Sequence, residues 1–318
     1  MRHSNRIILA SALAACFSAA LVGQPPDAKQ ILSGAREALG GEKKLAEVRT
    51  FVATGRTRQL RGNNLVPIEF EIDCELPDKF VRKDDFPAQD TDPTTLGFNG
   101  ETLIQVPPPP PAPPAASAQG PGRGGGRGGG PPRVIAVKQD FARLTLGMFA
   151  ASFAGYPVTF KYAAQAEAPE GKADVLDVSG PANFAARFLV QRDTHLPVML
   201  MWQTPVTNVV MKIPGQPAAG PVPPGAVVVD APAPPAGSAG QAERDQYAAA
   251  IANLRRQTLS QAKPIENRIY YADYRNVDGL KLPFRIRRAV AGETIEETTF
   301  DQIRINAKID PRKFEVSK

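Results

Sequence analysis

The C-terminal stretch from Arg268 to Phe314 constrains the fold more than any other part of this chain. Over positions 280–287, apolar residues alternate with mostly basic ones: Leu280, Leu282, Phe284 and Ile286 against Lys281, Pro283, Arg285 and Arg287. This period predicts a strand with one side on a core and the other in water. Turn sequences flank it, Asn276-Val277-Asp278-Gly279 before and Ala291-Gly292 after, so we expect three antiparallel strands in series.

The same period recurs through the rest of the chain. Val66 to Leu76 alternates cleanly and pairs, by this pattern, with Thr50 to Leu60 across the turn at Arg61 to Asn64. Further strand-like segments are Phe80–Lys83, the hairpin at Phe98–Glu101, Tyr156–Tyr162, Ala173–Val178, Phe184–Gln191 and Val198–Trp202. About ten strands in hairpin-like order, without regular alternation of strand and helix, predict an α+β fold that is mostly an antiparallel meander.

Three segments have helical patterns. Asp27 can cap a helix that Gly40-Gly41 ends, Asp140 to Ala151 reads as an apolar helix, and Gln241 to Leu259 as a polar one. A strongly curved meander either closes into a barrel or wraps helices on its concave side.

Residues 1–23 have the composition of a signal peptide. Arg2 and Arg6 precede an apolar run that reaches Gly23. Two processing routes stay open: cleavage after Ser18-Ala19-Ala20, or acylation of Cys16 in a lipoprotein-type sequence. Either route predicts a periplasmic protein, anchored to the outer membrane if Cys16 is acylated. Cys74 then has no disulfide partner and is expected to be a small buried residue.

Two proline- and glycine-rich tracts interrupt the strand pattern, at about 106–132 and 214–240. Such composition cannot build a packed core, so both are predicted to be disordered insertions in one domain covering 24–318. The first tract contains Arg123 and Arg127 among glycines. Two arginines without aromatic residues, behind an export signal, do not indicate nucleic-acid binding.

Catalytic and metal-binding patterns are weak. Beyond the signal peptide the chain has one histidine, His195, in a turn, and there is no Gly-x-Ser-x-Gly elbow or phosphate loop. The acidic row Glu69, Glu71, Asp73 and Glu75 is interpreted as a solvated strand face rather than a cation site. We therefore predict no enzyme activity, no metal and no cofactor.

Three motifs resemble the outer-membrane lipoprotein-sorting proteins with the LolA/LolB-like fold. They are Tyr271-Ala272-Asp273-Tyr274 continuing to Pro283, Arg192-Asp193-Thr194-His195-Leu196-Pro197, and the ending Ile309-Asp310-Pro311-Arg312-Lys313-Phe314. The resemblance covers about Asp27 to Phe314 without the two tracts. It implies an incomplete barrel with helices on its concave side, around a cavity that receives acyl chains.

Two functions stay open at this point: a binder of lipids or lipidated proteins, and an envelope interaction or sensor protein that uses the same fold to bind protein. Val198 to Trp202, apolar on both faces, is where we expect the cavity. We expect a monomer, whose basic strip of Lys281, Arg285 and Arg287 is either solvated or placed near anionic headgroups. The candidate cavity residues are Phe141, Leu144, Phe149, Phe184, Phe188, Val190, Val198, Leu200, Trp202, Leu282 and Phe284.

Overall fold

A computed structural model describes residues 27–108, 132–168, 171–215 and 220–315. The predicted signal peptide, Cys16 and most of the first tract lie outside these ranges. Four helices are described: α1 (Ala28–Ala38), α2 (Glu42–Ala46), α3 (Arg133–Phe149) and α4 (Gln241–Gln261), with a short 3-10 helix at Pro311–Phe314. None of the described helices is both long enough and apolar enough to span a membrane.

Fourteen strands are described. The first nine are β1 (Thr50–Arg61), β2 (Asn64–Glu75), β3 (Lys79–Asp85), β4 (Thr94–Asn99), β5 (Thr102–Val106), β6 (Thr159–Ala168), β7 (Gly171–Gly180), β8 (Phe184–Gln191) and β9 (Pro197–Thr204). The others are β10 (Val209–Lys212), β11 (Val227–Asp230), β12 (Ile265–Val277), β13 (Leu280–Val290) and β14 (Glu293–Ile305). Every strand segment predicted from the alternation overlaps one of these, although β6 begins at Thr159 rather than at the predicted Tyr156.

Twelve strands form one antiparallel sheet in the order β5-β4-β3-β2-β1-β14-β13-β12-β9-β8-β7-β6. This confirms the predicted antiparallel meander and its α+β class. The edge strands β5 and β6 do not pair, so the sheet does not close into a barrel. Since they lie at opposite edges, the chain must cross the whole sheet between them, and α3 lies in this crossover.

Helix α3 fills the concave side of the sheet. It contacts β4 and β5 near one edge, and also β13 and β9 beyond the centre, so the sheet curves around it. Phe141 packs against Phe80 and Phe98, with ring centroids 5.7 and 5.4 Å away, while Phe149 packs 5.8 Å from Phe51. The helix is therefore the centre of the core.

The apolar helix begins at Arg133, earlier than the predicted Asp140, and ends at Phe149. Its first turns contain Val134, Ile135 and Val137, β-branched residues with weak intrinsic helix preference, so the sequence did not indicate a helix there. Packing decides instead, since Val137 is buried in the core and Val134 and Ile135 pack against it. Ala150 ends the helix in the left-handed conformation, at φ 46°.

The two C-terminal hairpins have the predicted turn chemistry. Asp278 and Gly279 both have positive φ (52° and 83°), and so do Ala291 and Gly292 (51° and 86°). Two successive residues of this kind suit the twist of antiparallel strands. Asn276 Oδ1 accepts a 2.9 Å hydrogen bond from the Gly279 N–H, which holds the first turn.

The second tract, predicted to be disordered, contains regular structure where the chain is described. Val227–Asp230 forms β11, which pairs in parallel with β10 as a small separate sheet. Three consecutive valines provide the β-branched side chains that favour a strand despite the surrounding prolines. Helix α4, which follows, has no buried residue.

The C-terminal segment covers part of the acidic row on β2. Lys313 Nζ lies 2.7 Å from both Glu71 Oε1 and Asp73 Oδ2, and Phe314 packs against Val81 and Ile104 on the outer face. Asp73 is consequently buried rather than solvated, which corrects the predicted exposure of the row at this position. Desolvation raises the pKa of the Asp73 carboxyl, although Lys313 opposes the shift.

Candidate functional site

A cavity of about 270 Å³ lies between the middle of α3 and the concave face of the sheet. Helix α3 supplies one wall, and β1 to β4 with β12 to β14 supply the opposite one. The lining residues are Gln59, Ile72, Phe80, Arg82, Asp84, Leu96, Val137, Asp140, Arg143, Leu144, Ile269, Tyr271, Ile286, Arg288, Glu296, Thr298 and Phe300.

The lining divides into an apolar part and a charged part. Side chains such as Ile72, Phe80, Ile286 and Phe300 belong to the main hydrophobic core, so the cavity is continuous with the interior of the protein. Three arginines and three carboxylates line it as well. A cavity with an apolar wall beside a group of charged side chains can hold a small molecule that has one apolar and one polar part.

Arg143 is the most buried of these charged residues. Its side chain is 11% exposed, and its Nη1 donates a 2.8 Å hydrogen bond to Asp140 Oδ1. The guanidinium carbon lies 4.3 Å from the ring centre of Trp202 and 5.3 Å from that of Phe184. Desolvation lowers the pKa of Arg143, although Asp140 opposes the shift.

Arg288 approaches the same carboxylate from the sheet. Its Nη2 lies 3.5 Å from Asp140 Oδ1, so one oxygen lies close to both guanidinium groups. Burial lowers the pKa of Arg288, but Asp140, Glu296 and Tyr271 together raise it by more. The rest of the charged lining is paired as well: Arg82 Nε donates to Asp84 Oδ1 (2.7 Å), and Gln59 Nε2 donates to Glu296 Oε2 (3.2 Å).

Two tyrosines of the motif at 271–274 attach α3 to the sheet. The Tyr271 hydroxyl donates a 2.6 Å hydrogen bond to the Arg143 carbonyl, and the Tyr274 hydroxyl reaches the carbonyls of Gly147 (3.4 Å) and Pro197 (2.6 Å). Burial strongly raises the pKa of Tyr271, so it remains a neutral donor. The motif thus holds the helix that forms one wall of the cavity.

Of the residues predicted to bind ligand, Leu144 alone lines this cavity. Phe184 and Trp202 lie beside it through their contacts with Arg143, and Val198 packs in a separate cluster with Val175 and Leu189. The remaining ones are in the main core: Phe141, Phe149, Phe188, Val190, Leu200, Leu282 and Phe284. The cavity was expected at residues 198–202, but the sheet side of its lining comes from β1–β4 and β12–β14 instead. A ligand-binding role for the predicted residues, Leu144 included, stays a prediction.

Sequence reasoning did not identify Arg143, Arg288 or Asp140. Arg288 follows 280, 282, 284 and 286 on the face of β13 that points to the core, so the alternation itself places it on the concave side, but the apolar series ends at Ile286. One signal was present: Arg143 lies within a helix whose neighbouring residues are apolar. Among the described residues, no group of three or more His, Cys, Asp or Glu side chains could hold a metal ion.

No family model matches the sequence, and no curated protein matches it. Among solved structures, the chain is similar to a LolA superfamily protein from Nitrosomonas europaea, with 10% identity over 91% of this chain and 98% of the other, at a TM-score of 0.46. A domain from Vibrio parahaemolyticus named for outer membrane lipoprotein sorting has 7% identity over 90% and 96%, at 0.43. A DUF1329 family protein from Desulfovibrio piger has 7% identity over 90% and 96%, at 0.42. The first two carry the family name that the sequence motifs resemble.

Proposed function

We propose that this protein binds the acyl chain of a lipid or lipidated protein in the cavity between α3 and the sheet, without catalysing a reaction. The observation that carries the proposal is the partly open cavity with an apolar wall that includes Leu144, Ile286 and Phe300. An acyl chain that leaves water for such a space gains about 0.8 kcal/mol for each buried methylene. The signal-peptide pattern supports binding in the periplasm, with Cys16 as the candidate membrane anchor.

The size of the cavity limits what it can hold. About 270 Å³ corresponds to roughly nine molecules of liquid water. That space suits one chain segment rather than the several chains of a complete lipoprotein. Helix α3 would have to move away from the sheet to admit a larger lipid, and the hydrogen bonds from Tyr271 and Tyr274 oppose that movement.

Purified protein tests the proposal directly. Solvent extraction followed by mass spectrometry should show a co-purified lipid, and a fluorescent fatty acid should bind with one-to-one stoichiometry and be displaced by unlabelled lipid. A protein that carries no lipid and does not bind the fluorescent probe would contradict acyl-chain binding. The same fold would then be better explained as a protein-binding module of the envelope.

Filling the cavity should block binding without unfolding the protein. Leu144→Trp adds a large ring at a half-buried lining position, so we expect at least about a tenfold loss of probe affinity. The midpoint of thermal unfolding should change little, since the added ring occupies space that is already present. Calorimetry and probe titration on the same samples separate the two quantities.

The matched control is Ala252→Trp, which adds the same ring to the exposed face of α4. It should bind the probe as the original protein does. If Leu144→Trp and Ala252→Trp bound the probe equally well, the acyl chain of the probe would not enter this cavity.

A further inference from the structure

Arg143 has a hydrogen-bonding edge that is only partly satisfied. Its Nη1 is engaged by Asp140, but its buried Nε has no hydrogen-bond partner among the described residues. Nη2, on the same edge as Nε, reaches only Gln139 Oε1 at 3.5 Å. A buried guanidinium with an unsatisfied N–H is costly unless an acceptor arrives.

The other charged groups of the cavity do not provide that acceptor. Asp84 is taken by Arg82, Glu296 accepts from Gln59, and Asp140 meets Arg143 through Nη1 only. Arg143 Nε is the one buried side-chain nitrogen or oxygen without a partner among the described lining residues. The hydrogen-bond acceptor for Arg143 Nε must therefore come from outside the lining residues.

The geometry of the Nε–Nη2 edge defines the acceptor. Nε and Nη2 of a guanidinium donate in parallel, a geometry that matches the two oxygens of a carboxylate. Arg288 adds a second positive charge nearby, since both guanidinium groups already approach one oxygen of Asp140. The rings of Trp202 and Phe184 keep the Arg143 guanidinium in place.

We propose that the ligand is a fatty acid with a free carboxylate, bound with its head group at the Nε–Nη2 edge of Arg143 beside Arg288 and its chain along the apolar wall. This rests on the proposed function and narrows it to one lipid class. Ester- and amide-linked chains lack the two equivalent charged oxygens that this edge requires.

Ligands that share a chain and differ in the head group test the assignment. Dodecanoate, dodecanol and methyl dodecanoate would each compete with the fluorescent probe on the full-length protein. We expect dodecanoate to bind at least about tenfold more tightly than the other two, as a charge-assisted bidentate contact implies. If all three compete equally, the head-group site is wrong while acyl-chain binding stands. If none competes, the proposed function fails as well.

Variants locate the effect. Arg143→Lys keeps the charge but loses the fork, and Arg288→Gln removes the second cation at a residue that is 32% exposed. Each should reduce dodecanoate affinity about tenfold and dodecanol affinity by much less. Arg285→Gln, on the outer face of the same strand, should change neither. If Arg285→Gln lost as much dodecanoate affinity, the preference for dodecanoate would come from overall surface charge and the assignment would be wrong. If Arg143→Lys does not fold, Arg288→Gln still tests the site.

Discussion

Leu200→Glu is expected to leave the protein unfolded at neutral pH. Leu200 has no exposed surface and packs in the main core, where β9 pairs with β8 through Phe188 and with β12 through Ile269. Loss of the leucine packing alone costs about 2–5 kcal/mol, and an unpaired buried carboxylate adds several more. The sum is comparable to the whole stability of an ordinary domain, about 5–15 kcal/mol.

Circular dichroism and urea unfolding measure this effect. Gln203→Glu adds the same charge to an exposed position of the same strand and should cost at most about 1 kcal/mol, from repulsion with Glu266 on the paired strand. Leu200→Met keeps the volume and polarity and should cost less than about 1.5 kcal/mol. A folded Leu200→Glu variant that had lost lipid binding would show instead that Leu200 faces a ligand, as the sequence predicted.

The alternation of residues was sufficient to predict the sheet. A strand with one face on a core must alternate, so Val66 to Leu76 and Leu280 to Ile286 could be placed without any structure. The Asp278-Gly279 and Ala291-Gly292 turns then determined which strands are neighbours. The pairing of β14 with β1, which joins the ends of the described chain, has no local signal because it depends on the curvature of the whole sheet.

The cavity could not be predicted, because residue type does not tell whether an apolar side chain lines a cavity or packs in the core. Only the packing of the folded protein decides that. Leu144 and Leu146 differ by half a turn of α3, yet the first lines the cavity and the second is fully buried. The sequence pattern selects apolar residues, and most of those belong to the core. Arg143, Asp140 and Arg288 come together from α3 and β13, and their meeting depends on the crossing of α3 over the sheet.

This crossing also explains why the tyrosine motif and the cavity depend on each other. Tyr271 lines the cavity with its ring and holds α3 with its hydroxyl. The residue that faces this ring from the helix is Gly147, and a methyl group there would lie 2.1 Å from Tyr271 Cε1. Helix α3 can therefore approach the sheet this closely only because residue 147 is a glycine.

Gly147→Ala is accordingly expected to destabilise the protein by about 3 kcal/mol or more, the upper part of the range for overpacked cores. Helix propensity alone predicts the opposite sign, since alanine is about 1 kcal/mol better than glycine inside a helix. Gly34→Ala in α1 is the matched control. Its methyl group would approach nothing closer than 3.5 Å, so it should stabilise by about 0.5–1 kcal/mol.

A double-mutant cycle identifies the contact responsible. Tyr271→Leu removes the ring that the Gly147→Ala methyl group would strike, so the combined variant should lose less stability than the two single changes added together. Urea unfolding of the four proteins gives the coupling energy, expected to exceed about 1.5 kcal/mol. Strict additivity, or a Gly147→Ala variant more stable than the original, would mean that α3 does not pack this closely on β12. The helix would then be free to move, and the cavity could admit more than one acyl chain.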